Sequence, residues 1–202
     1  MKLRGPKGKI SRRLGIAVTE KMQKVLNRRA FPPGMHGPTT RNLEPKSVYG
    51  KQLREKQRLR AQYNVSEKQM RGYYAKAQAS PHPTGQVLIQ MLESRLDAVI
   101  YRAGFARSIF AARQYAAHGH FEVNGRRVSI PSIVLRQGDL VTLRAKSREC
   151  VTFQDPRLLN QAVSSHLVVE RTEGKITIQG VPSPDDAPIQ CNIGVVVEFY
   201  SR

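Results

Sequence analysis

Apolar positions along this 202-residue chain change period, from helical spacing before residue 120 to alternation after it. Residues 46–63 contain no proline, and one glycine near their start. Tyr49, Leu53, Leu59 and Tyr63 mark one face against Lys51, Arg54, Lys56, Arg58 and Arg60, which predicts a helix. Ser66-Glu67-Lys68-Gln69 has the capping-box pattern, in which the Ser oxygen and the Gln amide each satisfy an orphan amide. It opens a second helix whose Met70, Tyr73, Tyr74 and Ala77 pack inward, with a core role favoured for the tyrosines over base stacking. Ser80-Pro81-His82-Pro83-Thr84-Gly85 reads as a linker. From Gln86, the spacing of Leu88, Leu92, Leu96, Val99 and Ala103 predicts one helix with a buried stripe, stopped by Gly104. Asp97 falls on its opposite face, with Arg95 and Arg102 flanking the stripe. Ser108 as N-cap and Gly119 beyond the C-terminus bound the next helix. There Ile109, Ala112 and Ala116 face inward, while Gln114 and His118 face a partner.

Strand signals follow. Phe121-Glu122-Val123 and Arg127-Val128-Ser129 flank Asn124-Gly125, a strong hairpin signal. Gln137-Gly138-Asp139 predicts a turn into a strand over 140–143. After residue 153 the alternation continues around Glu173-Gly174 and Gln179-Gly180, and 193–200 reads as a closing strand. Residues 1–44, rich in Pro, Gly and basic residues, read as an extended arm that orders on contact with nucleic acid. The expected class is α+β: a basic extended arm, a mostly helical first domain, and a small α/β module of two helices plus antiparallel hairpins. A β-rich C-terminal segment follows it.

Charge narrows the function. The formal net charge is +19, and residues 1–72 hold 19 Lys and Arg against 4 Asp and Glu. Such an excess repels itself in a compact molecule, and a polyanion relieves it. Cys150 and Cys191 form no CxxC and read as reduced, partly buried thiols in an intracellular protein. No apolar run approaches the ~20 residues of a membrane span. The N-terminus lacks the apolar stretch of a secretory signal, and Gly5, Pro6 and Gly8 break a transit helix.

Catalytic patterns are missing. There is no GxSxG, Walker loop or GxGxxG. His118-Gly119-His120 is the one close histidine pair, and no Cys, Asp or Glu stands at ligand spacing from it. No metal and no cofactor are expected. Asp185-Asp186 reads as a solvated loop.

The segment SRLDAVIYRAGFARSIFAARQYAAHGHFEVNGRRVSIPS resembles the small RNA-binding module named after small-subunit ribosomal protein four. RRAFPPGMHGP, YGKQLREKQRLRAQYNVSEKQMRGYY and the terminal VEFYSR are similar to that family's N-terminal region, helical domain and C-terminus, so the resemblance spans essentially the whole chain. It implies an arm (1–44), a helical domain (45–89) joined by residues 192–202, the module (90–152) and a β-rich continuation (153–191). It also implies direct binding to small-subunit (16S-type) rRNA near a multi-helix junction, early nucleation of subunit assembly, and no enzymatic activity. The implied partners are that rRNA, ribosomal protein five (a contact affecting decoding accuracy), other small-subunit proteins, and mRNA near the channel through which it enters. Membrane association and homo-oligomers are not expected. The implied location is the ribosome in a bacterial cytoplasm, or in the plastid stroma for an organelle-encoded copy. Many members hold zinc through four cysteines in the arm, but residues 1–44 contain none, so this chain resembles the zinc-free form.

Double-stranded RNA hides its base edges, so a protein reads phosphates, 2′-hydroxyls and shape. Arginine suits this because its planar fork chelates phosphate oxygens and stacks on bases. The candidates in the module are Arg95, Arg107, Ser108, Arg113, Gln114, His118, Asn124 and Arg126. In the arm and first domain they are Arg12, Arg13, Arg28, Arg29, Lys51, Arg54, Arg58 and Arg71. Two rival classes are an RNA-modifying enzyme that uses the module as a handle and a repressor of messenger RNA. The first needs a catalytic domain, for which residues 1–89 are too basic. The second could share the same surface.

Overall fold

A computed structural model describes residues 5–39, 45, 47–154, 163–183 and 187–201. Its helices are α1 (Lys7–Leu14), α2 (Glu20–Arg28), α3 (Val48–Gln62), α4 (Glu67–Gln78), α5 (Thr84–Glu93), α6 (Leu96–Arg102), α7 (Ile109–Ala117), α8 (Ala145–Arg148) and α9 (Ile193–Ser201). Its strands are β1 (Phe121–Val123), β2 (Arg126–Val128), β3 (Leu140–Leu143), β4 (Leu167–Glu170) and β5 (Lys175–Ile178). The class is α+β, and the chain forms two compact units, 1–85 with 189–202, and 86–188.

The first unit is helical. Two helices, α1 and α2, occupy the segment expected to be extended. Ile10, Ser11 and Leu14 bury one face of α1, and Gly15 ends it in the left-handed conformation (φ 71°). A helix this short is marginal alone in water, so tertiary contacts hold it. Arg54 and Arg58 of α3 donate to the Leu14 carbonyl at 3.3 and 2.9 Å, placing cations at the negative end of the α1 dipole. The irregular chain after α2 is held by Arg12, which donates to the carbonyls of Phe31 and Pro32 and lies 4.7 Å over the Phe31 ring.

Ser66 caps α4 with the full reciprocal capping box. Residues 193–200, expected as a strand, form α9 instead. The run of valines has β propensity, but packing decides. Val196 is buried, Tyr200 stacks on Tyr74 at 5.1 Å, and Lys56 lies 4.1 Å over Phe199. Glu67 Oε1 accepts from Tyr200 Oη at 2.9 Å and Lys56 Nζ at 3.2 Å, and Arg60 Nη1 forms an ion pair with Oε2 at 2.8 Å. Desolvation opposes ionisation of Glu67, yet the hydrogen bonds from Tyr200 and Lys56 and the charges of Lys56 and Arg60 outweigh it and hold its pKa low.

In the second unit the single helix expected from Gln86 is broken at Ser94-Arg95. Arg95 is extended and bridges to Val134. The Ser94 carbonyl accepts from Leu135 N at 2.7 Å, and Leu96 N and Asp97 N donate to Ile133 O and Pro131 O at 2.9 and 3.1 Å. Pairing with a loop forty residues away thus overrides the local period. The stripe survives: Leu88, Leu92, Leu96, Val99 and Ala103 are all buried. The antiparallel sheet has the order β2-β1-β3-β5-β4. Asn124 (φ 50°) and Gly125 (φ 75°) close β1 and β2 through a two-residue turn of the primed type. Leu96, Ile100 and Phe105 pack against Phe121, Val141 and Ile176. Each such side chain contributes about 1.5–3 kcal/mol on burial.

Candidate nucleic-acid interface

Two candidate arginines are interior. Arg95 is fully buried, with its fork bidentate on Asp97 (Nε–Oδ1 2.9 Å, Nη2–Oδ2 2.6 Å). It therefore offers no donor surface to RNA, and Asp97 lies inside rather than on an outer face. Arg113 of α7 reaches the same carboxylate at 3.4 Å, so the triad pins α7 to the start of α6. Arg54 is also buried. With half-buried Arg58 and Arg12 it holds the first unit together, as described above.

The others reach the surface. Arg13, Arg28, Arg29, Lys51 and Arg71 are exposed in the first unit. Arg71 makes only a loose pair with Glu67, at 3.8 Å. A hollow of about 230 Å³ beside α3 is lined by Lys51, Arg54 and Arg58, with Glu55 and Asn192 on its wall. In the second unit Arg107, Gln114, His118, Asn124 and Arg126 are exposed, and Ser108 is half-buried. Ser108 caps α7 by accepting from Ala111 N at 3.3 Å. Asn124 spends its amide on the fold, donating to Asp139 Oδ1 and accepting from Leu140 N, both at 2.9 Å. The outward face of α7 and the hairpin tip thus carry most of the module's candidate surface.

Two further cations belong to this surface. Arg127 is exposed on β2, and its fork packs against Gly119. Arg144 donates to the Gly119 carbonyl at 3.5 Å and stands 3.5 Å from Glu122. Their signal in the sequence was adjacency to Arg126 and to the strand over 140–143. His120 contacts Ser147 at 3.0 Å. Burial, then the charges of His118 and Arg144, push its pKa down, so it is neutral at physiological pH.

Other chemistries find little support here. Cys150 is exposed rather than partly buried, and both thiols are free. Burial and the Glu55 charge push the half-buried Cys191 thiol up to about 12, so it is not a nucleophile at neutral pH. Among the described residues no three His, Cys, Asp or Glu side chains converge as metal ligands, and no helix is long and apolar enough to cross a membrane. Asp185-Asp186 lies outside the described residues.

Residues 2–93 match the family described as Ribosomal protein S4/S9 N-terminal domain, and residues 94–141 match the S4 domain. These two matches define a ribosomal protein carrying an RNA-binding domain. Relatives named small ribosomal subunit protein uS4 align along nearly the whole chain. That of Roseiflexus castenholzii is 44% identical, with 98% of each chain covered. That of Bifidobacterium adolescentis is 43% identical, covering 96% of this chain and 95% of its own. The Micrococcus luteus protein is 41% identical, covering 95% and 94%. The chain belongs to the uS4 family of small ribosomal subunit proteins, which are structural proteins of the ribosome and not enzymes.

Proposed function

We propose that the chain binds small-subunit, 16S-type rRNA directly, nucleates assembly of the subunit body, and contributes to translational accuracy through contact with ribosomal protein five. Other small-subunit proteins and mRNA near its point of entry complete the proposed surroundings, in the ribosome of a bacterial cytoplasm. The observation that carries this reading is the set of exposed cations on both units, Arg13, Arg28, Arg29, Lys51 and Arg71 on one and Arg107 and Arg126 on the other. The helical domain (45–89 with 192–202) and the module (90–152, continued by 153–191) each carry RNA-binding residues of their own. Ser108, Gln114 and His118 add hydrogen-bond donors on α7, while Arg113 acts by fixing the position of that helix.

Backbone recognition has a salt signature, because each neutralised phosphate contributes about 0.7–0.9 log units of affinity per log unit of salt. Arg28→Ala and Arg126→Ala should each weaken binding to a small-subunit rRNA transcript and flatten that slope by about one phosphate. Tagged protein should also co-sediment with the small subunit at about one copy and survive a high-salt wash. Protein that stays at the top of the gradient while binding free RNA would overturn the ribosomal reading.

A further inference from the structure

Gly119 follows α7 in the left-handed conformation (φ +72°), and two guanidinium groups converge on it. Arg127 lies so close that a Cβ at position 119 would stand 2.6 Å from its Nε and 3.0 Å from its Nη2. Arg144 also reaches this residue, donating from Nη1 to the Gly119 carbonyl at 3.5 Å. Glu122 links the pair: its carboxylate is 3.5 Å from Arg144 Nε, and it faces Arg127 across the β1–β2 ladder. The carbonyl-rich end of a helix attracts cations. Each fork carries five N–H donors, more than these anchors use. Two arginines and one glutamate sum to one positive charge, which matches one phosphodiester.

We propose that Arg127 and Arg144 form a two-armed clamp on a single RNA backbone phosphate, seated on Gly119 and aligned by Glu122. The clamp deepens the rRNA-binding function proposed above and rests on that reading. Glycine at 119 is what lets the Arg127 fork settle on the helix end. A methyl group there would push the fork away while leaving every charge in place.

The test is a salt titration of the full chain against a small-subunit rRNA transcript, with thermal melts confirming that each variant is folded. Arg127→Ala and Arg144→Ala should each cost about tenfold in affinity, the scale of one charge-assisted contact. Each should flatten the salt slope by about 0.7–0.9. The double variant should flatten it no further, because both arms hold one phosphate. Arg127→Lys should keep most of the slope yet lose affinity, since an ammonium lacks the planar fork. Gly119→Ala should weaken binding with the charge intact. Additive slope losses would mean two independent phosphates and overturn the shared clamp. Unchanged binding by Arg127→Ala, beside a wild type that binds, would overturn it while sparing the RNA reading. A wild type that does not bind the transcript would remove the RNA reading first and the clamp with it.

Discussion

Asp97 shows how one buried carboxylate organises the second unit. It is fully buried and shared by Arg95 and Arg113, while its Oδ1 also accepts from Ala98 N at 3.0 Å. An interior charge is tolerated only when its partner and hydrogen bonds are all in place. Asp97→Ala takes the bidentate carboxylate away from the buried Arg95 guanidinium, and we expect a loss of about 3–5 kcal/mol in urea denaturation. A loss below about 1 kcal/mol would mean that water reaches Arg95, and the account of the triad would be wrong. Weaker RNA binding by an Arg95 variant therefore reports on folding, not on a phosphate contact. The sequence hides this. Residues two apart in a continuous helix do not face each other, and Arg95 and Asp97 meet only because the break at Ser94-Arg95 leaves Arg95 extended ahead of α6. That break depends on Pro131 and Ile133, which no local window contains.

Elements were legible where their ends carry local chemistry, and illegible where distant packing chose the conformation. The Ser66–Gln69 capping box, the Ser108 cap and the Asn124-Gly125 turn are local devices, and each stands where the pattern placed it. The first arm helix, α1, depends on Arg54 and Arg58, forty residues away, and α9 on α3 and α4, more than a hundred residues back. Burial could not be read from residue type either, since Arg54 and Arg95 look like any other surface arginine. The α9 packing has a testable weak point in the Tyr200 phenol. Tyr200→Phe removes a hydrogen bond to a charged group, worth about 1.5 kcal/mol at this half-buried site. The Glu67 pKa is held low in the folded chain, so its contribution is present above the unfolded value of ~4.3 and fades as pH falls through the folded one. Without the phenol the folded pKa rises, so stability at neutral pH drops and the acid limb becomes shallower. An unchanged acid limb in Tyr200→Phe would show that Lys56 and Arg60 suffice alone.

At the scale of the whole molecule the charge is lopsided: Lys and Arg exceed Asp and Glu by 15 in residues 1–72, whereas acids outnumber bases six to four in 153–202. Like charges crowded into one compact unit oppose its folding, and added salt screens them over a Debye length of about 10 Å at 0.1 M. The same salt competes with RNA for those cations. Folding of the free chain and binding to RNA should therefore answer to salt with opposite signs. Between low and moderate ionic strength the melting midpoint of the free protein should rise, by roughly 2–4 °C for each kcal/mol of repulsion relieved. Over the same range the affinity for a small-subunit rRNA transcript should fall steeply. Melts of the protein alone and in complex check both arms, because bound RNA stabilises the fold by mass action and its contribution must shrink as salt rises. A free-protein midpoint indifferent to salt would mean that internal pairs such as Lys56 and Arg60 with Glu67 already neutralise the crowding. The exposed cations would then be spaced too widely to repel, and relief of self-repulsion would no longer count among the forces that drive the chain onto RNA.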